Sequence, residues 1–171
     1  MSTTLILETG RLLVRRLCLE DIPSLVSLWT DPKVTRYLGG PRKESELIPS
    51  LEESVKNPQK FDLWPLVEKG TRRIVGHCGL IEKNIAGNDE IELIYVLQPS
   101  VWGRGYAREA GRALIDYGFL DLGLSRIISL VDPGNLPSGR VALAIGMICE
   151  GDTPRPDKSL KRLYSIEGYG E

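Results

Sequence analysis

A short segment rich in glycine and arginine is the part of the sequence best suited to bind a phosphate group. The run Trp102-Gly-Arg-Gly-Tyr-Ala107 lies between a predicted strand and the start of a predicted helix. Gly103 and Gly105 let the main chain approach a ligand without side-chain obstruction, and no Ser, Thr, Asp or Asn stands just ahead of the helix to cap it. Arg104 and Arg108 add positive charge. These features predict that free N–H groups at a helix start bind an anion such as a pyrophosphate.

Two other phosphate motifs do not fit this segment. The dinucleotide fingerprint G-x-G-x-x-G/A is excluded because Arg108 stands where a small residue must contact the strand. A P-loop is excluded because no Gly-Lys-Ser/Thr follows. A pair of glycines is also compatible with a plain strand-to-helix turn, so the anion site needs support from the rest of the chain.

The cysteines and the single histidine give little indication of nucleophilic or metal chemistry. Cys18, Cys78 and Cys149 are scattered and form no C-x-x-C pair, so we expect reduced, mostly buried thiols and no metal site. His77 directly precedes Cys78 on a predicted strand, and adjacent strand residues point to opposite faces. A catalytic Cys-His pair is therefore disfavoured, and we expect His77 to be an ordinary strand residue.

The elements that must position these residues alternate between strand and helix patterns. Strand patterns cover 11–16, 61–68, 73–81, 90–97, 126–131, 147–150 and 160–166, and helical patterns cover 44–56, 106–121, 137–145 and a stretch from Glu20 to Asp31-Pro32. Pro49 predicts a kink or two shorter helices. Short turns predict an antiparallel meander over 61–97, and residues 90–131 predict a parallel, right-handed β-α-β unit. Gly111 and Gly118 would let the helix between those two strands approach the sheet closely. The sum is a mixed α/β fold with one twisted, mostly antiparallel sheet of about six to seven strands.

Composition narrows the function classes. A length of 171 residues suits one domain. The net charge of −1, from 22 basic and 23 acidic side chains, argues against a nucleic-acid partner. The first ten residues lack a signal-peptide pattern and no run is apolar enough for a membrane span, so we expect a cytoplasmic protein with no membrane partner. The sequence does not decide between a monomer and a homodimer.

At this point the sequence resembles the GNAT superfamily of N-acetyltransferases, and more narrowly its RimJ/RimL-like branch. The segment 102–110 is similar to the family's coenzyme A pyrophosphate loop, and the branch commonly begins that loop with Trp, as here. The segments 8–21, 29–38, 74–80, 92–97, 135–138 and 145–147 are similar to further family segments in the same order. The resemblance implies the GNAT fold over a single domain, residues 1–171, with acetyl-CoA as co-substrate.

The resemblance also implies which residues contact the coenzyme. They are Tyr95, Val96, Leu97, Trp102, Gly103, Arg104, Gly105, Tyr106, Ala107, Arg108, Asn135 and Ser138. In the family a splayed fourth strand frees N–H donors, so an N–H within 95–97 is expected to stabilise the thioester oxygen. For Asn135, a plain turn residue is nearly as good an interpretation.

Two residues are candidates for the chemistry. By resemblance, a carboxylate on the fourth strand is the general base, and Glu92 is our candidate; a solvent-facing glutamate next to Glu90 is the equally weighted alternative. Ser138 is the candidate to protonate the departing thiolate, as proposed for RimL-like enzymes; a plain position near a helix start is the slightly favoured interpretation, with Ser138 kept as a coenzyme contact. Tyr164 is expected to be a core residue rather than the acid.

The predicted function is transfer of an acetyl group from acetyl-CoA to a primary amine by direct attack in a ternary complex. The acceptor is either a protein N-terminal α-amine or a small-molecule amine, and the variable region around 35–57 is expected to build its pocket. The alternative is a non-catalytic acyl-CoA-binding or regulatory module with the same fold.

Overall fold

The computed structural model describes residues 4–168. Within this part of the chain, eight strands form a single sheet. They are β1 (Leu5–Glu8), β2 (Leu12–Arg15), β3 (Asp62–Glu68), β4 (Ile74–Ile85), β5 (Asn88–Leu97), β6 (Arg126–Val131), β7 (Ile148–Pro154) and β8 (Leu160–Glu167). Their order across the sheet is β1-β2-β3-β4-β5-β6-β8-β7.

Five α-helices connect and cover the strands. They are α1 (Ile22–Thr30), α2 (Pro32–Thr35), α3 (Glu44–Lys56), α4 (Tyr106–Leu120) and α5 (Leu136–Ala144), with single 3-10 turns at Leu19–Asp21 and Pro99–Val101. Pro23 lies in the first turn of α1, where its missing N–H costs no hydrogen bond. Asp31 ends α1 and caps α2 by accepting a hydrogen bond from the Lys33 N–H at 2.8 Å.

The predicted fold class is confirmed, with corrections to its parts. The sheet has eight strands rather than six to seven, because the sequence analysis missed the short edge strand β1, which pairs antiparallel with β2. The β4–β5 hairpin continues to Ile85 and Asn88, since its solvent-facing end is too polar for an apolar pattern to mark it. Helix α3 is one continuous helix with Pro49 inside it.

The sheet separates two apolar clusters, one on each face. Leu93 of β5 belongs to the cluster under α4 and α5, whereas Val96 of the same strand belongs to the cluster under α1 and α3. Close contact between α4 and the sheet depends on Gly118, as predicted, because a Cβ added there would lie 2.6 Å from Ile127 Cδ1. At Gly111 the nearest atom is Ile145 Cδ1 at the end of α5, 3.1 Å away, and the sheet side chains Leu93 and Tyr95 lie 3.8 Å away.

The strands β5 and β6 form the parallel pair of this otherwise antiparallel sheet. Within these described strands, the parallel register is confined to Glu92 opposite Ile128. Beyond that point β5 continues to Leu97 and β6 to Val131 without a further main-chain pair, and a bond from the Ser129 hydroxyl to the Leu93 carbonyl at 3.2 Å still links them at the start of this stretch. The sheet therefore opens into a cleft between the two strands, and helix α4 begins shortly after β5 ends.

Candidate functional site

The loop of residues 102–108, here called the phosphate loop, ends in an uncapped helix start. Gly103 and Gly105 both have positive φ, 75° and 80°, a conformation that favours glycine. Gly105 is the N-cap of α4 and makes no side-chain cap hydrogen bond. The N–H groups of Tyr106, Ala107 and Arg108 have no acceptor inside the helix. A Cβ added at Gly103 would meet nothing within 4 Å, and one added at Gly105 would meet only Arg11 Nη2, at 3.5 Å.

The charge on the phosphate loop is partly engaged by the protein itself. Arg104 Nη2 lies 2.9 Å from Glu68 Oε1, and its guanidinium stacks 4.8 Å from the centre of the Tyr106 ring. The buried Tyr106 hydroxyl donates to Glu68 at 2.5 Å, and this bond, with those from Thr71 and Arg104, lowers the pKa of Glu68. Arg108 is exposed and makes no ion pair within residues 4–168. Arg108 is therefore the cation that remains available to a ligand.

Arg11 fastens the phosphate loop from outside, which the sequence analysis did not anticipate. Its Nη1 donates to the Arg104 carbonyl at 2.9 Å, and its Nε and Nη2 lie 2.7 and 2.6 Å from Glu109 Oε2. Burial alone would raise the pKa of Glu109, but hydrogen bonds from Thr9 and Arg11 more than offset it and hold that pKa below its usual value. Arg11 thus neutralises a carboxylate in the first turn of α4, where an anion would otherwise meet it.

The open cleft beside β5 exposes main-chain groups of two of the three predicted residues. Gln98 N–H donates to the Val75 carbonyl at 2.9 Å, and the β4–β5 register continues in phase from there. Alternate residues of an antiparallel pair exchange hydrogen bonds. The main-chain N–H and C=O of Val96 therefore point to β4, while the N–H groups of Tyr95 and Leu97 point into the cleft. The Trp102 indole N–H donates to the Leu97 carbonyl at 2.9 Å. The phosphate loop is therefore fastened directly to the mouth of the cleft.

Glu92 lies at the apex of this cleft and is buried, with 6% of its surface exposed. Burial raises the pKa of its carboxyl; Lys83, whose Nζ lies 3.6 Å away, and the Leu130 backbone N–H oppose that shift without cancelling it. Its neighbour Glu90 instead pairs with Arg126 at 3.2 Å. Strand alternation could not distinguish these two glutamates, but their surroundings differ. Glu90 belongs to an ion-pair network with Arg126, whereas Glu92 lies at the cleft and has a raised pKa.

The first turn of α5 faces the same cleft. Asn135 caps the helix by accepting a hydrogen bond from the Ser138 N–H at 3.3 Å, which agrees with the turn-ordering interpretation of this residue. The Tyr95 hydroxyl donates to the Ser138 carbonyl at 3.2 Å and ties α5 to β5. Ser138 is half-buried. Tyr164 is 5% exposed and belongs to the core cluster, as expected.

A cavity of about 410 Å³ lies on the face of the sheet away from α4 and α5, between helices α1 and α3 and strands β3 and β4. Its lining comprises Leu17, Trp29, Arg42, Glu46, Leu47, Ser50, Leu51, Ser54, Asp62, Leu63, His77 and Ile81. Half of these residues come from the region around 35–57. Ile81 lies opposite Glu92 in the β4–β5 register, which brings the cavity next to the apex of the cleft.

His77 and Cys78 point to opposite faces of β4. Cys78 lies in the core cluster, and burial raises the pKa of its thiol to about 12. His77 is 3% exposed and accepts a hydrogen bond from the Trp29 indole N–H at its Nδ1. This arrangement excludes a Cys78-His77 catalytic pair. The expectation of mostly buried thiols is wrong for Cys149, which is exposed on the edge strand β7.

Within 4–168, no group of three or more His, Cys, Asp or Glu side chains is arranged to hold a metal ion. No helix in the same part of the chain is long and apolar enough to cross a membrane.

Comparisons with known proteins point to one family. The model of the acetyltransferase (GNAT) domain matches residues 11–148. The chain is 32% identical over 167 residues to the N-acetyltransferase p20 of Bacillus licheniformis, covering 94% of this chain and 92% of the relative. It is also 32% identical over 167 residues to the FsC-acetyl coenzyme A-N(2)-transacetylase of Aspergillus fumigatus, covering 88% and 70% of the two chains. A GNAT acetyltransferase structure from Bacillus anthracis superposes with a TM-score of 0.80 at 28% identity, covering 94% and 96%.

Proposed function

Since the chain belongs to the GNAT family and is an acetyl-CoA-dependent N-acetyltransferase, we propose that a primary amine attacks acetyl-CoA directly in a ternary complex within the β5–β6 cleft. The acceptor is a protein N-terminal α-amine, as the RimJ/RimL-like resemblance suggests, or a small-molecule amine. The observation that carries the proposal is the uncapped start of α4 beside a cleft whose apex holds the buried carboxyl of Glu92.

The phosphate loop is the proposed site of the coenzyme diphosphate. The N–H groups that follow Gly105 offer several donors with the favourable end of the α4 dipole behind them. Arg108 contributes a free guanidinium, and Arg104 lends part of its charge from its pair with Glu68. Trp102 closes the loop against Leu97, so that a coenzyme held here extends its thioester arm into the cleft.

The chain's own residues supply binding, orientation and proton transfer, while the coenzyme supplies an activated acetyl thioester. The N–H groups of Tyr95 and Leu97 face the cleft and are the proposed donors to the thioester oxygen, which gains negative charge as the amine attacks. Asn135 and the Tyr95 hydroxyl fix the first turn of α5. That turn holds Ser138 at the cleft as the proposed contact for the sulfur end of the arm.

Glu92 is the proposed general base. Attack forms a bond between the amine nitrogen and the acetyl carbon, the carbon–sulfur bond breaks, and the proton from the nitrogen passes to Glu92 directly or through water. Ser138 or solvent then protonates the thiolate. A buried carboxyl with a raised pKa suits this role because its affinity for a proton is closer to that of the amine than an exposed carboxyl's would be.

A thiol-release assay with acetyl-CoA tests this proposal against a panel of peptides with free N-termini and of small primary amines. We expect free thiol to appear only in the presence of an acceptor, with equal amounts of acetylated amine. The same protein should unfold at higher temperature when coenzyme A is added. Stabilisation by coenzyme A without turnover on any acceptor would instead favour a non-catalytic acyl-CoA-binding module.

The proposed role of Ser138 predicts a moderate loss when its hydroxyl is removed. Ser138→Ala should lower kcat by about tenfold if the hydroxyl donates to the departing thiolate, and leave the affinity for coenzyme A within a factor of two or so. The matched control is Ser125→Ala, an exposed serine just before β6, at the end of that strand away from the cleft. An unchanged kcat in Ser138→Ala would assign thiolate protonation to solvent.

A further inference from the structure

The segment that follows helix α2 is fixed by local contacts on one side of the cleft. Its residues 36–40, here called the strap, form a turn in which the N–H groups of Leu38 and Gly40 donate to the Thr35 carbonyl at 2.8 and 3.0 Å. Leu38 packs against the apolar cluster that includes Val96 of β5. The strap is therefore anchored to α2 and to the β5 side of the cleft.

Tyr37, the neighbour of Leu38 in the strap, is anchored on the other side of the cleft. Lys161 Nζ of β8 donates to the Tyr37 carbonyl at 3.1 Å and lies 3.4 Å from Oδ2 of Asp132, the residue directly after β6. A Cβ added at Gly134 would lie 3.3 Å from Tyr37 Cε1, so the ring lies against the turn that follows β6. Within residues 4–168, the bond from Lys161 is the hydrogen bond that ties the strap to this side.

Lys161 and Glu92 lie on the same face of the sheet. Glu92 lies opposite Ile128 of β6, and Ile128 lies opposite Ser165 of β8. Residues directly opposite each other share a face, and so do alternate residues along one strand. Ser165 and Lys161 are four residues apart, so both share the face of Glu92. The strap therefore crosses the cleft on the side where the proposed general base lies.

We propose that Lys161 is a positioning residue for the acceptor: it holds the strap across the cleft, and the strap limits the room beside the reacting nitrogen. The inference rests on the proposed function, because an amine that gives its proton to Glu92 enters the cleft from this face. An acceptor with a CH2 group next to its nitrogen fits beside the strap, whereas a branch at that carbon meets it. The favoured substrates are therefore amines on unbranched carbons, which include peptides that begin with glycine.

Matched acceptors that differ by one methyl group test the proposal. They are two peptides of otherwise identical sequence that begin with Gly or Ala, and a linear primary amine with or without a methyl group on the carbon that bears the nitrogen. In the wild type we expect the unbranched member to have a kcat/KM about tenfold higher. In Lys161→Met this preference should fall below about threefold, while the dissociation constant of coenzyme A stays within about twofold. Lys161→Arg keeps a donor and should retain most of the preference.

The matched control is Arg162→Met, at the next residue of β8, whose side chain pairs with Asp152 at 3.2 Å. Because adjacent strand residues point to opposite faces, this variant should keep the wild-type preference. Tyr37→Leu removes the ring contact with Gly134 but keeps the carbonyl, and should lower the preference by about threefold. A wild type that does not distinguish the matched acceptors overturns the proposal. So does a wild-type preference in Lys161→Met or, should that variant not fold, in Tyr37→Leu.

Limited digestion with trypsin gives a second readout that needs no turnover. Arg36 is exposed within the strap, and Lys60 is exposed in the loop before β3. Cleavage after Arg36 should be about fivefold faster in Lys161→Met than in the wild type, whereas cleavage after Lys60 should keep its rate. An unchanged rate after Arg36 would mean that Lys161 does not hold the strap. Failure of every amine in the thiol-release assay, with no stabilisation by coenzyme A, would instead reject the proposed function.

Discussion

The polar groups of the phosphate loop and those of the cavity between α1, α3 and the sheet are paired in different ways. At the phosphate loop, the carboxylates of Glu68 and Glu109 are matched by the guanidinium groups of Arg104 and Arg11. At the cavity and the adjoining apex of the cleft, the buried groups have fewer partners. Glu92 has the Lys83 ammonium at 3.6 Å and the Leu130 backbone N–H, and His77 Nε2 has no hydrogen-bond partner within the described residues.

This difference indicates that the phosphate loop has its shape before any ligand binds, whereas the cavity and the apex of the cleft depend on the substrate. A loop whose charges are already paired keeps its shape whether or not a ligand is present, which favours binding of an unchanging coenzyme. Groups left underpaired by burial keep a perturbed protonation or an open hydrogen bond, and such groups suit proton transfer and selection among ligands. The following predictions test this division in order of expected effect.

Gly105→Glu should have the largest effect, because it changes the phosphate loop directly. It forces a side chain onto a φ of 80° and places a carboxylate at the helix start. We expect the dissociation constant of coenzyme A, measured by isothermal titration calorimetry, to rise by more than roughly 100-fold, or about 2.7 kcal/mol. Gly87→Glu is the matched control, since Gly87 also has a positive φ of 90° and lies in the β4–β5 turn. Equal losses in the two variants would point to backbone strain rather than to a diphosphate site.

Glu92→Gln should separate chemistry from coenzyme binding. We expect kcat to fall by about 100-fold, within the usual range for a general base, while the affinity for coenzyme A stays unchanged. The difference from wild type should shrink as the pH falls through the raised pKa of Glu92, because the protonated carboxyl cannot accept a proton. Rate measurements across the pH range check both statements.

The control for this variant is Glu90→Gln, two residues away on the same face of β5, where the side chain pairs with Arg126. It should keep kcat within about twofold. A raised carboxyl pKa means that ionised Glu92 reduces the free energy of unfolding above that pKa. Glu92→Gln should therefore unfold at the same or a higher temperature at neutral pH. A kcat unchanged at every pH would remove Glu92 from the mechanism.

The sequence analysis predicted the structure of the phosphate loop more fully than that of the cavity and the apex of the cleft. The phosphate loop and helix α4 are contiguous in sequence, and turn chemistry and helical spacing are local signals, so both were predictable. The clamp by Arg11 was not, because its partner Glu109 is 98 residues away. Only the folded sheet, with β1 and β2 at its edge, brings the two together.

The features missed around Glu92 and His77 also depend on contacts that a local sequence pattern does not show. The strand predicted over 73–81 stopped short of Lys83, so the pairing of that lysine with Glu92 could not be foreseen; the hairpin in fact extends to Ile85. The hydrogen bond that His77 Nδ1 accepts comes from Trp29, 48 residues earlier in the chain. The resemblance to a known family supplied Glu92, but the raised pKa follows from burial, which a single sequence does not reveal.

Arg11→Met tests whether the clamp on the phosphate loop contributes to coenzyme binding. The side chain is 49% exposed, so its ion pair with Glu109 is worth at most ~1 kcal/mol. We expect the dissociation constant of coenzyme A to rise by about fivefold, with kcat at saturation nearly unchanged. Arg11→Lys keeps the charge but loses the two-point contact, and should give an intermediate value. If Arg11→Met binds coenzyme A as well as wild type, the loop holds its shape without the clamp.

Lys83→Met should have the smallest effect on the rate, and it is the most specific test of how Glu92 is protonated. The Lys83 ammonium lowers the pKa of Glu92 against the effect of burial, so its removal should raise that pKa further. The ascending limb of kcat plotted against pH should move to higher pH, while the plateau keeps its height because the base itself is intact. On the acid side of the midpoint the rate should fall by less than about fivefold, since partly exposed pairs contribute little. Lys83→Arg retains the charge and should leave the profile in place. A profile that moves in Lys83→Arg as much as in Lys83→Met would mean that packing at this position, and not charge, controls the protonation of Glu92.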